Sequence, residues 1–318
     1  MEYLGIDIGG TKCAVVRGTE AGVILEKESF PTTDVGETLG HIMEAARRQK
    51  GESVSIGISC GGPLDSERGV ILSPPNLPGW DNIEIVKQLE AVTGLPAYLC
   101  NDANACALAE WRFGAGRGSR NMIFLTFGTG LGAGLILDGR LYNGTNGNAG
   151  EVGHIRLERF GSCGYGKQGS FEGFASGGGI ALSARAYAIE ALQKGITPFY
   201  CEDLSKLNDI TAKSVALAAK QGDEVAMKVY ENAGEMLGRG LSILIDILNP
   251  EKIVIGSIYQ RSAELMKDAM ERVIREETLP SSRAVVEIVP ALLGDELGDC
   301  ASLALAMMCH ERQGKGKL

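Results

Sequence analysis

Apolar residues in the first third of the chain fall into short strand-like runs and longer stretches with helical spacing. The pattern predicts strands at 3–8, 13–17, 23–30, 54–60 and 97–100, and helices at 38–49, 83–93 and 103 to about 113. Residues 73–80 contain three prolines, which predicts an extended loop. The glycines at Gly114, Gly116 and Gly118 end the last helix and are the best candidate for a hinge.

The strand pattern restarts after the hinge. Strands are predicted at 122–127, 135–137, 252–255 and 284–290, and helices at 179–194, 211–221, 224–248, 263–277 and 298–309. A glycine turn is predicted at 128–134 and a hairpin turn at 138–139. Segments 4–16 and 124–136 share the order strand, Gly/Thr turn, strand, so we expect two related halves.

The chain has 318 residues, which exceeds the usual size of one domain. We therefore expect a smaller α/β domain at 1–116 and a larger one at 117–298. The C-terminal helix, about 299–318, is expected to pack back on the first domain, with a frayed basic tail at 313–318. Glycine is the compositional outlier, since 44 residues are about twice the average usage, and it indicates close backbone approaches.

Charge and cysteine content exclude several classes of protein. A net charge of −9 disfavours binding to nucleic acid, because proteins that bind nucleic acid neutralise its phosphates with Lys and Arg. The eight cysteines are scattered without a Cys-x-x-Cys pair, and no signal peptide begins the chain, so we expect a cytoplasmic protein. The longest charge-free run, between Arg120 and Asp138, is shorter than the roughly 20 residues that span a bilayer, so no membrane association is expected.

Two glycine turns are candidates for phosphate binding. The first runs from Asp7 to Lys12: Gly9 and Gly10 allow backbone N–H groups to approach a polyanion, Thr11 adds a hydroxyl, and Lys12 adds charge. The Asp7 carboxylate is suited to hold Mg²⁺ through water. An ordinary glycine hairpin has the same appearance, and the chain contains no P-loop sequence.

The second turn contains Gly128, Thr129 and Gly130 and fits the loose dinucleotide-binding pattern. That pattern requires a helix to follow, whereas a strand and a hairpin are predicted here. A second phosphate turn is therefore the better interpretation.

Polar side chains elsewhere offer acid–base and sugar-binding chemistry. Asn101 and Asp102 lie where a strand ends and a helix begins, so they are either ordinary N-caps or, for Asp102, a base for a substrate hydroxyl. Glu151, His154 and Glu172 lie in a Gly-, Asn- and Ser-rich region that suits a polyhydroxylated ligand. The alternative for these three is a solvated loop.

Taken in order, the blocks 4–12, 101–104, 128–139, 151–154 and 253–256, with the loop 76–80, resemble the ROK family of repressors, open-reading-frame proteins and sugar kinases. The resemblance implies an α/β, two-domain actin-like ATPase (ribonuclease H-like) fold with an interdomain cleft. It also implies a glucokinase-like enzyme that uses ATP and Mg²⁺ to phosphorylate a hexose, such as glucose or an N-acylhexosamine, and that forms a homodimer. The individual sugar is not specified by the sequence.

The resemblance also assigns roles by position. Asp102 would be the catalytic base. Sugar contacts would come from Gly62, Asn76, Asn101, Asp102, Glu151, His154 and Glu172. ATP and its phosphates would contact Asp7, Gly9, Gly10, Thr11, Lys12, Gly128, Thr129, Gly130 and Gly256.

The chain departs from the family at two places. Many members bind a structural zinc through the histidine of Glu-x-Gly-His and three cysteines, but Tyr165 and Ser170 occupy two of the cysteine positions here. Only His154 and Cys163 remain of four ligands, so no zinc is expected. Ser257 stands where members often have a second glycine beside the adenine.

Three alternatives accompany the kinase interpretation. A sugar-responsive repressor would carry a helix-turn-helix before the first phosphate motif, which begins at Leu4, so a regulator of this kind would lack a DNA-binding domain. A sugar-binding protein without catalysis is the second alternative. A non-sugar actin-like ATPase or acyl kinase is the third, and the set Glu151, His154 and Glu172 favours sugar over it.

Overall fold

The computed structural model describes residues 1–315, and positions 316–318 of the predicted tail lie outside the described residues. The chain forms two compact units. The first comprises Met1–Arg120, Gly134–Ala149 and the segment from Leu292, and the second comprises Asn121–Ala133 and Gly150–Ala291. Segment 134–149, which the sequence interpretation had assigned to the second domain, thus packs with the first unit.

Short and long strands are distributed through both units. The strands are β1 (Glu2–Ile8), β2 (Lys12–Thr19), β3 (Ile24–Pro31), β4 (Ser53–Cys60), β5 (Leu64–Asp65), β6 (Val70–Ile71), β7 (Ala97–Asn101), β8 (Met122–Phe127), β9 (Leu131–Leu137), β10 (Arg140–Leu141), β11 (Cys163–Gly164), β12 (Lys167–Gln168), β13 (Lys252–Ile255) and β14 (Glu287–Pro290).

Helices connect these strands. They are α1 (Val35–Gln49), α2 (Ile85–Thr93), α3 (Asp102–Arg112), α4 (Phe171–Phe174), α5 (Gly177–Gln193), α6 (Ala212–Lys220), α7 (Glu224–Leu248), α8 (Ile258–Ser262), α9 (Lys267–Glu277), α10 (Pro280–Arg283) and α11 (Leu297–Lys315). Short 3₁₀ helices occur at Val152–His154, Leu204–Asp209, Ala263–Leu265 and Gly294–Glu296. No helix among the described residues is long and apolar enough to cross a membrane.

The first unit is built on a five-stranded sheet in the order β3-β2-β1-β4-β7. β1, β4 and β7 are parallel, and their register pairs Ile8 with Cys60 and Cys60 with Asn101. β1 and β4 are almost continuously buried, as expected of parallel strands that are covered on both faces. Because Ile8, Cys60 and Asn101 are paired with one another at the carboxyl ends of these strands, the chain leaves the same edge of the sheet after each of them.

Helix α11 packs against one face of this sheet, in contact with β1 and β4. Gly57 faces the helix so closely that a Cβ at this position would clash with the backbone of Ser302. The Ser55 hydroxyl, which is fully buried, donates a 2.6 Å hydrogen bond to the Ala306 carbonyl. The close approach fixes where the first turn of α11 lies relative to the end of β1.

The second sheet has the order β10-β9-β8-β13-β14, with β8, β13 and β14 parallel. The strand order matches that of the first sheet position by position. The two sheets therefore support the expectation of related halves, which rested on the repeated strand–turn–strand pattern. The mixed sheets with covering helices also agree with the predicted α/β class.

Several predicted boundaries are wrong. α1 begins at Val35 and not at 38, and α11 continues to Lys315, so residues 313–315 of the predicted tail are helical. β9 already begins at Leu131, so the glycine turn is shorter than predicted. The helix predicted at 263–277 is interrupted at Met266, whose side chain is fully buried, and α9 starts one residue later. The strand predicted at 284–290 begins only at Glu287, because Pro280 starts the short helix α10.

Candidate active site

Asp102 lies at the junction of β7 and α3, at the level edge of the first sheet. Asn101 is the N-cap of α3, and its Oδ1 accepts a 2.8 Å hydrogen bond from the N–H of Ala103. Oδ1 of Asp102 accepts from the same N–H at 2.8 Å, while Oδ2 accepts no hydrogen bond from another of the described residues. The capping and base interpretations are therefore compatible, because one residue caps the helix and the other keeps an oxygen free.

The environment of Asp102 favours a proton acceptor. The side chain is exposed to solvent. Protein atoms nevertheless surround the carboxyl densely, and this desolvation raises its pKa, against the lowering effect of the Ala103 N–H. A raised pKa strengthens a carboxylate as a base, and the N-terminus of α3 helps to keep it ionised.

Asp7 lies at the end of β1 and is the second acidic group at this edge. Burial raises its pKa to about 6; a hydrogen bond with Ser59 opposes this rise, and the charge of Asp102 adds to it. Gly298, in the first turn of α11, lies against the carboxylate, since a Cβ there would be 2.7 Å from Oδ2 of Asp7. A carboxylate held among like charges is suited to a cation, and its oxygens are ligands that Mg²⁺ prefers.

The first glycine turn closes with a 3.1 Å hydrogen bond from the N–H of Gly9 to the carbonyl of Lys12. The N–H groups of Gly10 and Thr11 donate to none of the residues that the structure describes. Lys12 and Thr11 are exposed. The turn thus presents two free donors and an ammonium group, which is a composition suited to phosphate.

Asn76 adjoins this turn, and Gly62 adjoins Asn101. A Cβ on Gly10 would be 2.6 Å from the Asn76 carbonyl, and one on Gly62 would be 3.6 Å from Nδ2 of Asn101. The structure therefore gathers the predicted residues of the first unit at one sheet edge: Asp7, Gly9, Gly10, Thr11, Lys12, Gly62, Asn76, Asn101 and Asp102.

The second glycine turn rests on the start of α5. Carbonyls of Gly128 and Thr129 accept hydrogen bonds of 2.7 and 3.1 Å from the N–H groups of Gly177 and Gly178. The N–H groups of Thr129 and Gly130 have no acceptor in the described part of the chain. No helix follows the turn directly, so the expectation of a phosphate turn rather than a dinucleotide fingerprint agrees with β9.

Glu172 is fixed beside this turn. Its Oε2 accepts a 3.0 Å hydrogen bond from the N–H of Leu131, and a Cβ on Gly130 would be 2.8 Å from the same oxygen. A Cβ on Gly153 would be 3.2 Å from the Cβ of Glu172, which brings the block 151–154 to the same place. Glu151 and His154 flank Gly153 and are exposed.

Gly256 ends β13 in the second unit. It is buried, its N–H donates to the Leu125 carbonyl at 3.0 Å, and the next residue, Ser257, has a positive φ of 46°. The second glycine turn lies close to the segment after Gly256, because a Cβ on Gly177 would be 2.8 Å from the Gly128 carbonyl and 2.9 Å from Cδ1 of Ile258. The predicted residues of the second unit are Gly128, Thr129, Gly130, Glu151, His154, Glu172 and Gly256.

The residues do not fit a structural zinc. No group of three or more His, Cys, Asp or Glu side chains suited to a metal occurs among the described residues. Cys163 pairs with Gln168 in the β11–β12 hairpin, and Tyr165 and Gly166 take positive φ values of 44° and 73° in its turn. The ring of Tyr165 meets that of His154 edge to face at 6.3 Å. A hairpin and an aromatic contact stand where the family places metal ligands.

Ser170 was not recognised from sequence as more than a lost ligand. Its Oγ accepts a 3.1 Å hydrogen bond from the N–H of Gly173 and donates to the Gly164 carbonyl at 3.4 Å, so it caps α4 and ties it to the hairpin. Ser59 and Gly298, which set the surroundings of Asp7, were also missed. A serine before a short apolar run is a helix-start signal and was available in the sequence.

The family model, a curated relative and a solved structure all indicate the same family. The family model for the ROK family matches residues 3–308. A glucokinase of Streptomyces coelicolor is 34% identical over 95% of this chain and 96% of its own. The structure of a ROK family glucokinase from Streptomyces griseus, in complex with glucose and AMPPNP, has a TM-score of 0.77 and 32% identity, covering 97% of this chain and all of that one.

A regulator is also similar to this chain. The structure of a ROK family transcriptional regulator, a homologue of the E. coli MLC protein, has a TM-score of 0.83 and 28% identity, covering 97% of this chain and 78% of that one. These likenesses confirm the α/β actin-like ATPase fold expected from the sequence.

Proposed function

The chain belongs to the ROK family, and from that premise we propose that it is an ATP-dependent sugar kinase of the glucokinase type. Its substrate is a hydroxyl of glucose or of a related hexose or N-acylhexosamine. The observation that carries the proposal is Asp102, which holds one oxygen free and exposed at the edge where the first phosphate turn also lies. The similar S. griseus glucokinase, in complex with glucose and an analogue of ATP, supports it.

Asp102 acts as the general base in this proposal. The sugar hydroxyl donates its proton to the free Oδ2 while its oxygen attacks the γ-phosphorus of ATP, and ADP leaves with the bridging oxygen. The N–H of Ala103, bound to Oδ1, fixes the direction of the carboxylate. Phosphoryl transfer depends mainly on positioning and on stabilisation of charge, so no covalent intermediate with the protein is needed.

The two glycine turns hold the phosphates of ATP. Free N–H groups of Gly10, Thr11, Thr129 and Gly130 donate to phosphate oxygens, and Gly256 adjoins the nucleotide. Asp7 would hold Mg²⁺ through water, and the ion, when bound, neutralises charge on the phosphates. The raised pKa of Asp7, about 6, supports this role, because a cation relieves the cost of its buried charge.

Sugar recognition falls to the remaining residues. In this proposal the sugar is contacted by Gly62, Asn76, Asn101, Glu151, His154 and Glu172. Carboxylates suit sugar hydroxyls because they accept hydrogen bonds from them, and the Glu172 carboxylate is held by the N–H of Leu131. We also keep a cytoplasmic location and a homodimer as proposals; the eight free cysteines agree with a reducing compartment.

A sugar-responsive regulator without catalysis is the second candidate. The observation that favours it is the transcriptional regulator of the same family, whose fold matches over 97% of this chain. In that case sugar would bind and Asp102 would contact it without turnover.

A coupled ADP-release assay with Mg-ATP and a panel of hexoses and N-acetylhexosamines tests the proposal. We expect turnover on one sugar well above the ATPase rate without sugar. Calorimetry on the same panel separates the candidates. Sugar binding without turnover would contradict the kinase and support the regulator, and neither binding nor turnover would contradict both.

A further inference from the structure

A groove lies between the C-terminal halves of α3 and α11, far along α3 from Asp102. It is walled by Trp111, Arg112, Arg140, Leu141, Met308 and Arg312, all from the first unit, and we call it the α3–α11 groove. Its volume is about 710 Å³, within the range of roughly 300–1,000 Å³ typical of small-molecule sites. None of its lining residues belongs to the proposed ATP or sugar sites.

The floor of the groove is apolar and rigid. Leu108 and Met308 are buried beneath it. The indole of Trp111 is fixed by a 2.7 Å hydrogen bond from Nε1 to the Ser119 carbonyl. A flat aromatic surface held in this way suits the apolar part of a ligand.

The rim is positively charged on a protein with a net charge of −9. Arg112 is paired with Glu311 through two contacts of 2.8 Å from one nitrogen. Arg140 and Arg312 are exposed, and neither has a carboxylate partner among the described residues. Two arginines without ion pairs, beside an apolar floor, are complementary to an organic anion, because guanidinium groups bind carboxylate and phosphate bidentately.

A chain of contacts leads from the groove to the start of α3. The guanidinium of Arg312 lies 4.5 Å from the ring centre of Tyr98. The Tyr98 hydroxyl accepts a 3.2 Å hydrogen bond from Nδ2 of Asn143, whose Oδ1 accepts one of 3.3 Å from Asn104. Asn104 is buried in the first turn of α3, two residues after Asp102. An anion that draws Arg312 away from Tyr98 would therefore disturb the segment that carries Asp102.

We propose that the α3–α11 groove binds a small organic anion, with its carboxylate or phosphate on Arg140 and Arg312 and its apolar part against Trp111. We further propose that occupancy is transmitted to Asp102 through Tyr98, Asn143 and Asn104. The proposal that the groove binds an anion does not depend on the proposed kinase function. Only the proposed transmission to Asp102 rests on that function.

Tryptophan fluorescence tests the binding step. Trp111 lines the groove, whereas Trp80, the other tryptophan, is buried. A bound ligand should therefore change the fluorescence of Trp111. We titrate the whole protein with phenyl phosphate and with benzoate, and the tighter ligand identifies the head group. Loss of two charge-assisted contacts in R140Q/R312Q should weaken binding about tenfold or more.

Two control variants and one control measurement, of the dependence on protein concentration, accompany this test. Arg117→Gln removes an exposed arginine that does not line the groove and should bind normally. Trp111→Phe should abolish the signal. Equal affinity of wild type and R140Q/R312Q would overturn the proposal, as would a signal that depends on protein concentration and not on ligand, which would indicate a second copy of the chain.

Tyr98→Phe tests transmission. It removes the hydroxyl that hydrogen-bonds to Asn143 and to Arg312, and it leaves the ring beneath the Arg312 guanidinium. In wild type, saturating ligand should change the sugar KM about fivefold or more, the lower range of measured couplings. The variant should bind the ligand normally and lose this effect. An unchanged effect in Tyr98→Phe, or none in wild type, overturns transmission, whereas absence of all turnover would contradict the proposed function and leave the fluorescence result valid.

Discussion

Replacing Asp7 by asparagine should stabilise the protein at neutral and alkaline pH. The carboxyl is largely buried beside Asp102 and Asp299, and its pKa is raised to about 6 from an ordinary value of 3.8. One pKa unit corresponds to about 1.4 kcal/mol, so ionised Asp7 costs the folded state up to about 3 kcal/mol. Asparagine keeps the shape and a hydrogen bond to Ser59 but carries no charge.

The gain should depend on pH in a defined direction. Because the pKa is higher in the folded state, the stability contributed by protonated Asp7 is present below about pH 3.8 and lost as pH rises through about 6. Asp7→Asn escapes that loss. We expect an increase in the free energy of unfolding of about 1–3 kcal/mol at pH 8. The difference should shrink towards zero near pH 4.

Urea unfolding followed by tryptophan fluorescence measures this in the correct unit, because Trp80 and Trp111 both lie in the first unit. Buffers contain a chelator so that no divalent cation stabilises Asp7. Glu52→Gln, an exposed position in the first unit, is the control and should change stability by less than about 0.5 kcal/mol. Lower stability of Asp7→Asn at pH 8, or a gain independent of pH, would refute the reasoning.

Three further predictions concern the second unit. Elemental analysis of the purified protein should find well under one zinc per chain, and one equivalent would contradict the account of the hairpin. Ser170→Ala should cost about 1 kcal/mol as a lost cap and raise the KM for sugar more than it lowers kcat, and unchanged kinetics would contradict a role in holding α4. Gly150→Ala should destabilise by about 2–4 kcal/mol in thermal unfolding, since its φ is 95° and a Cβ would clash with the Ala133 carbonyl. Gly222→Ala, with a φ of 92° in open space in the same unit, should cost less, and equal losses would show that the clash is unimportant.

Local sequence patterns predicted most of the secondary structure. The junction of β7 and α3 at Asn101 and Asp102 was visible because an apolar run stops at polar residues typical of an N-cap. The two glycine turns were visible for the same reason, as breaks between short strands. Boundaries failed where no local signal marks them, as at Met266, which lies between a 3₁₀ helix and α9 although the helical spacing continues.

The surroundings of the candidate site could not be read from the sequence. Gly298 reaches Asp7 only because α11 packs across the sheet, and no local pattern encodes that contact. Glu172 binds the N–H of Leu131 through an approach across the second unit. Such contacts set the pKa of one carboxyl and the direction of another. Sequence therefore indicates which groups are available, and packing decides how they are held.

The kinetic effect of Asp102→Asn tests the central claim most directly. Turnover of the best hexose and calorimetric affinity for the same sugar are measured on wild type and variant. Asparagine keeps the oxygen that accepts from the Ala103 N–H but cannot take a proton from the sugar. We predict a fall in kcat of about 10²–10⁴-fold, with sugar affinity within a few-fold of wild type. Turnover near that of wild type in the variant would contradict Asp102 as the base.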